Sequence, residues 1–546
     1  MTIQKYVVAA VLLTSLILYA CTIPSPSATD ETVQSETDSV EEQGASDASS
    51  ETASPETASS ETASPETASP ETASPETASS DVPQNIFDEI LPGQPIPDAI
   101  ATQLLYDMAG NDSAKIDNAT QAILTARDQR FIPVLIELLR FAQIGLADGD
   151  FSSGKTLNRL SGQSFGPDWG SWVEWYGDTD IVPPPGFTTW KGTVLSQIDP
   201  GFGDFLKDEF ASTIRVEEVQ WGGVRVDGIP ALDQATMIDP ALAKYLRDDE
   251  PVFGLEINGD ARAYPLRILD WHEMANDVVG DVPVSIAYCT LCGAAVAYDS
   301  RASDGATYDF GSSGFLFRSN KLMYDRQTRT LWNQLTGEPV LGELVGTDVE
   351  LTILPIVLTT WEAWLDQHPD TKVLDIDTGF RRPYEVGAAY GDYFAGSDTM
   401  FPVWQRNELL DTKAQVYAMQ IEDIPVAYPI ATLDSEQVVN DTVGETNVVV
   451  IASGNPISVD GLSRRAGSVT YTAGSEVRAY ERGAHIFTAG PNRDTVIDEQ
   501  GQAWEITEAA LVGPNGEQAP RLGGHLAYWF GWFAFFPDTL VYGAIE

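Results

Sequence analysis

The chain has 546 residues, with 81 Asp and Glu against 31 Lys and Arg, a formal net charge of −50 and only 3 Cys. That length excludes a single core and calls for several domains. The charge excludes nucleic acid and anionic lipid as partners of the folded part, because residues 101–546 alone carry about −34 and repel both.

The first element is an export signal. Lys5 precedes an apolar run from Tyr6 to Leu18, and Leu18-Tyr19-Ala20-Cys21 follows. The run is short for a membrane span and of secretory length. A cysteine directly after Ala20 resembles a bacterial lipobox, which implies removal of residues 1–20, lipidation of Cys21 and an extracytoplasmic protein held to the cell membrane by its N-terminal lipid. An uncleaved N-terminal anchor is the alternative, and it leaves the bulk of the chain on the same side. There Cys289 and Cys292 can be oxidised.

Residues 21–92 form the second element. Ser, Thr, Ala, Pro and Glu dominate, and the pentad Glu-Thr-Ala-Ser-Pro recurs from Glu51 to Ser80. Seventeen acids and no Lys or Arg fall between residues 22 and 100. Such a segment buries too little apolar surface to offset chain entropy, so a disordered acidic stalk is expected. As a flexible coil it reaches roughly 45 Å, and more when its charges and prolines extend it.

Residues 93–185 carry helical periodicity. Ile100, Leu104 and Met108 recur at four; Ala114 to Thr125 and Arg130 to Arg140 supply two further helices, with Pro133 near the start of the last. The pair resembles one HEAT-type helical hairpin. Trp169, Trp172 and Trp175 read as core, and Pro183-Pro184-Pro185-Gly186 closes the segment.

From Ile214 onward short strands rich in Val, Ile, Tyr and Phe take over, so the fold class is α+β, with mostly antiparallel strand-rich modules. Val252–Ile257 and Ala261–Leu266 flank Asn258-Gly259-Asp260, a hairpin signal. Shifted by 164 residues, Val416–Ile421 falls on the first strand, Pro425–Ile430 on the second, and Asn440–Gly444 on Asn276–Gly280. Trp361-x-x-Trp364 before Pro369-Asp370-Thr371 matches Trp529-x-x-Trp532 before Pro537-Asp538-Thr539. The expectation is an internal duplication, with copy 1 over 214–400 and a degenerate copy 2 over 401–546.

What both copies keep reads as scaffold, and what one copy lacks reads as chemistry. Ser453, Pro456 and Glu436 stand where Cys289, Cys292 and His272 do. Those three residues of copy 1 are therefore the candidate site, on a buried strand running into a Cys-x-x-Cys turn.

Trp221-Gly-Gly-Val-Arg-Val-Asp-Gly-Ile-Pro230, Asp270-Trp271-His272-Glu273, Tyr288-Cys-Thr-Leu-Cys-Gly293, Phe310-Gly-x-x-Gly314 and Met323-Tyr-Asp-Arg-x-Thr-x-x-Leu-Trp-Asn-Gln334 resemble the DUF3179 family. The resemblance runs from about Ile214 to Thr539. It implies a module centred on the cysteines and supplies no reaction.

Three chemistries remain open for the cysteine pair. A redox pair would use Cys289 as attacking sulfur, Cys292 as resolving sulfur and His272 as base. A thioredoxin fold is excluded, because only Gly293 to Tyr298 separates Cys292 from the next polar turn and no long helix fits. A copper or zinc site would take Cys289, Cys292 and His272 as ligands, with His368, Met274 or Met323 as the fourth. A structural disulfide is the third option. Asp309, Asp325, Arg326, Asn333 and Gln334 form a polar set that could line a pocket, or serve turns and caps. The functional expectation is an exported metal-binding or thiol redox protein of the cell envelope. The alternative is a non-catalytic module with structural cysteines, binding an envelope protein or polymer.

Overall fold

The computed structural model describes residues 89–146, 152–463, 465 and 467–544. The export signal, Cys21 and the stalk up to residue 88 lie outside the described residues. Among the described residues no helix is long and apolar enough to cross a membrane.

Six helices open the described chain: α1 Asp98–Ala109, α2 Ser113–Ala126, α3 Phe131–Gln143, α4 Ser152–Ser161, α5 Trp169–Gly177 and α6 Phe187–Leu195. Asp112 caps α2 by accepting the Ala114 and Lys115 N–H groups at 3.0 and 3.3 Å, and Arg127, at φ 54°, ends it. Helix α3 is buried along most of its length, Pro133 included. The two helices expected as a hairpin make their main contacts elsewhere: α2 packs chiefly on α1, and α3 on α4 and α5. Trp172 is fully buried, whereas Trp169 and Trp175 are half-buried. Arg140 lies 4.5 Å over the Trp169 ring. Gly177 docks the helical segment on the chain near Trp404: a Cβ at 177 would stand 2.0 Å from the Trp404 carbonyl oxygen.

The remainder is α+β and strand-rich, built almost wholly from antiparallel ladders. Strands β1 Pro251–Ile257 and β2 Asp260–Pro265 form the expected hairpin, with Asn258 at φ 52° and Gly259 at φ 83° as a type I′ turn needs. After α7 Leu266–His272 come β3 Met274–Val279, β4 Val282–Cys289, β5 Ala294–Asp299, β6 Phe310–Phe317, β7 Asn320–Asp325, β8 Leu331–Asn333, β9 Pro339–Gly342, β10 Thr352–Leu354 and β11 Val357–Thr360. Helix α8 Trp361–Gln367, β12 Lys372–Leu374 and α9 Gly391–Ala395 complete this half.

The second half runs β13 Gln415–Ile421, β14 Ile424–Pro429, α10 Ile430–Glu436, β15 Val438–Val443, β16 Thr446–Ala452, β17 Ile457–Ser463, β18 Gly467–Gly474 and β19 Val477–Glu481. It ends with β20 Thr488–Ala489, β21 Thr495–Ile497, β22 Ala503–Ile506, β23 Ala510–Val512, β24 Gln518–Leu522, β25 His525–Tyr528, α11 Trp529–Phe533 and β26 Leu540–Val541.

Strand orders recur between the halves. The order β11-β1-β2-β12 is answered by β25-β13-β14-β26, with the last pairing parallel in each. Likewise β10-β5-β4-β3 is answered by β24-β19-β16-β15, and β9-β8-β7-β6 by β23-β22-β21-β20. In the second half β24 also pairs with β23, which joins two of these sheets into one of eight strands.

Side-chain bonds recur as well. Tyr264 and Tyr428 donate to Asp277 and Asp441 at 2.7 and 3.0 Å. Trp364 and Trp532 donate to Thr371 and Thr539, each at 2.9 Å. The Asn276 side-chain amide donates to the Phe310 carbonyl and accepts the Phe310 N–H, and Asn440 does the same with Phe487. The Tyr, Asn, Asp and Trp of these pairs are kept in both copies, which is what the sequence comparison assigned to scaffold. The halves share a core, in which Cys289, Cys292 and Trp332 pack in one cluster with Tyr528, Trp529 and Trp532.

A cavity behind the cysteine turn

Strand β4 delivers Cys289 at its last residue and β5 starts at Ala294, so the turn between them has to reverse the chain in four residues. Gly293 makes this possible at φ 62°, where a Cβ would press on the Tyr528 ring. Cys289 and Cys292 are disulfide-bonded with Cα atoms 5.5 Å apart, and both are buried. The Cys292 carbonyl accepts the Tyr528 N–H at 2.7 Å. Gln334 braces the strand ends by donating to the Ala287 and Ala294 carbonyls at 2.9 and 3.2 Å.

His272 is engaged by other partners. Its Nδ1 lies 2.8 Å from the Pro230 carbonyl and its Nε2 2.5 Å from the Tyr384 hydroxyl. Burial pushes its pKa down to about 4. The ring is therefore neutral at pH 7, with Nδ1 donating to the carbonyl and Nε2 accepting from Tyr384. With both nitrogens committed, the ring has none left for a metal beside the sulfurs. Among the described residues no group of three or more His, Cys, Asp or Glu is arranged to hold a metal ion. Of the three candidate fourth ligands, Met274 and Met323 share the cysteines' core cluster, while His368 stacks on Trp364 with centroids 4.1 Å apart.

The polar set serves turns. Asp325 accepts from the Thr328 hydroxyl at 2.8 Å and Trp332 Nε1 at 2.9 Å. Arg326 pairs with Asp233 at 2.6 Å, Asn333 caps the Leu335 N–H at 2.9 Å, and Asp309 accepts from Gln327 at 3.3 Å. None of these residues, nor Gln334, lines the cavity behind the cysteine turn.

The cavity has a volume of about 520 Å³, and four of the five motif runs that carry the family resemblance meet in its wall. Gly222, Val224, Gly228 and Ile229 come from the first run; Asp270, Trp271 and Glu273 from the second. Leu291, between the two cysteines, comes from the third, and Ser312 and Gly314 from the fourth. Aromatic wall is added by Phe315, Tyr390, Tyr393 and Phe401.

The titratable groups here were missed in the sequence, where His272 drew attention instead. Helix α7 ends at His272, and Glu273, at φ 55°, caps it. Its carboxylate accepts from the Thr290 hydroxyl at 2.9 Å and lies 3.6 Å from Lys321, which also donates to the Glu273 carbonyl at 2.9 Å. Burial pulls the Lys321 pKa down, with Glu273 opposing. Asp270 is 2% exposed, and burial first, then the Glu273 charge, holds its pKa far above the usual carboxylate range. A signal was available: at the 164-residue offset Glu273 becomes Gln437 and Thr290 becomes Gly454, by the same criterion that selected the cysteines.

Two strand-rich halves of matching strand order, the first with a disulfide-closed turn in the wall of a cavity, define the kind of protein this is. A family model for DUF3179, a protein family of unknown function, matches residues 226–539, more than half of the chain. The chain belongs to that family. No curated protein and no solved structure matches it.

Proposed function

We propose that this is an exported cell-envelope protein, anchored through a lipid on Cys21, whose working site is a ligand-binding cavity in the first of two duplicated modules. The observation that carries this reading is the meeting of four sequence-distant motif runs in one cavity wall. A scaffold alone gives no reason for runs near residues 222, 270, 291 and 312 to face the same space. The recurring strand orders and the paired Tyr–Asp and Trp–Thr bonds support duplication. The acidity of residues 101–546 speaks against nucleic acid, and the partner class remains an envelope molecule or protein met outside the cytoplasm.

In this reading the disulfide braces the turn that sets Leu291 against the cavity and Thr290 against Glu273. Thiol redox chemistry is the second reading, favoured by the turn's place in that wall. It requires the turn to open, because both cysteines are buried. A copper or zinc site on Cys289, Cys292 and His272 is not carried forward, because the His272 nitrogens are engaged by Pro230 and Tyr384.

A small-molecule library screened by thermal shift against the wild type, Ala389→Trp and Cys289→Ser/Cys292→Ser separates the readings. Ala389 lines the cavity and is half-buried, so the indole fills space without displacing core. Stabilising compounds lost in Ala389→Trp and kept in the double serine variant support the binding reading. No stabilising compound, together with rapid disulfide exchange with glutathione in the native protein, would transfer the function to the cysteines.

A further inference from the structure

We infer that the ligand of this cavity is an uncharged saccharide, with Asp270 donating a hydrogen bond to it as a neutral carboxylic acid. This rests on the reading of the cavity as a binding site and adds the chemistry of what it takes.

Charge comes first. Leaving Asp270 aside, the wall carries Glu273, Asp392 and Asp398 against Lys321, Arg382 and Arg465, three of each sign. A wall so balanced carries no net charge to draw an ion of either sign. Among the described residues Asp270 makes no ion pair, its buried Oδ1 makes no hydrogen bond, and the charge that acts on it is that of Glu273, of the same sign. A buried carboxylate in that setting takes up a proton, and an acid so held can donate to a hydroxyl or carbonyl oxygen placed beside it. Asp270 and Glu273 thus form a pair of unlike kind, one donating and one accepting, with the Lys321 ammonium beside them.

Shape comes second. Trp271, Phe315, Tyr390, Tyr393 and Phe401 add aromatic area to the wall that carries Asp270, Glu273 and Lys321. A pyranose ring matches such a wall, since it has C–H faces for aromatic rings and a rim of hydroxyls that both donate and accept. A volume of about 520 Å³ has room for a sugar unit or two.

The second half of the chain closes the site. Where the first half turns in four residues at the cysteines, the second extends the hairpin β17–β18, whose tip carries Arg465 into the cavity wall. The hairpin is fastened to the segment that supplies Tyr390 and Tyr393: the Leu462 N–H donates to the Val386 carbonyl at 2.7 Å, and Val386, Val459 and Tyr471 form one cluster.

The test is calorimetric titration of the full chain with cellobiose and chitobiose, in the wild type and in Asp270→Asn, Asp270→Ala and Ala389→Trp variants whose melting temperatures are measured alongside. The amide of Asp270→Asn keeps a donor and cannot ionise. Binding of at least one disaccharide is expected, unchanged within about 3-fold in Asp270→Asn, weakened about 10-fold or more in Asp270→Ala, and abolished in Ala389→Trp. Loss in Asp270→Asn equal to that in Asp270→Ala would mean an ionised carboxylate accepting from the sugar in place of an acid donating to it, and would overturn the inference. So would disaccharide binding indifferent to Ala389→Trp. If neither disaccharide binds while library compounds of another class still depend on Ala389, the saccharide inference falls and the cavity reading stands. If nothing binds at all, both fall.

Discussion

The same position in the two halves has been spent in opposite ways. Between β4 and β5 the first half makes a tight turn closed by Cys289 and Cys292, whereas between β16 and β19 the second half runs out into the long hairpin β17–β18. The flanking ladders are alike, so the sheet tolerates either connection. What differs is the neighbour: the short turn lies in the wall of a cavity, and the long hairpin reaches that cavity from the other half. A loop between two strands is free to diverge when the strands are held by their own pairing.

The contrast is sharpest where α11 backs the disulfide. Gly531 takes the place that Ala363 holds in α8, and a Cβ at 531 would stand 2.7 Å from the Cys292 Cβ. Gly531→Ala is expected to cost about 3 kcal/mol by overpacking, and Ala363→Gly only about 1 kcal/mol of helix propensity. Urea midpoints of the two variants check it, and equal losses would remove the asymmetry.

Acid tests the halves next. His272 in the first and His525 in the second are both pushed by burial to a pKa of about 4, against about 6.5 when unfolded. The unfolded chain then binds more protons between those values, so stability falls as pH drops through that window. Each histidine is expected to remove on the order of 2 kcal/mol between pH 7.5 and 5. His525→Phe should shrink the wild-type difference in urea midpoint between those pH values by roughly that amount. An unchanged difference would show that His525 is not buried neutral.

The disulfide ranks third. Its loop is short, so Cys289→Ser/Cys292→Ser should lower stability by about 2 kcal/mol, and reduction of the wild type should do the same. A calorimetric melt measures both. A loss several times larger would mean that the turn organises the shared core as well as the cavity wall.

Smallest are the twin hydroxyls. Tyr264→Phe and Tyr428→Phe each leave an Asp without its phenol, and each should cost about 1.5 kcal/mol. The two losses should add in the double variant, since different sheets hold the two residues. Strong non-additivity would show that the halves are coupled at these strands.

Much of this was legible in the sequence because it is local. The Asn258-Gly259 turn, the strand into Cys289 and the 164-residue offset arise from patterns that neighbours alone decide, and β1–β4 recur as β13–β16 at that spacing. The site was less legible because it is assembled from distant loops. Lys321, Arg382 and Arg465 meet only through the tertiary fold, and no period announces them. His272 misled for a physical reason, since imidazole chemistry is versatile and its use depends on partners that the sequence does not reveal. The left-handed residue after it, Glu273, is the one turned toward the cysteines.

The contact between Gly531 and Cys292 also bears on inheritance. A volume gained at either position has to be answered at the other, although 239 residues separate them. The halves therefore behave as partners of an obligate dimer that share one gene. Cutting the chain between them would leave each with a raw apolar face, so recombination that exchanges one half alone should be purged.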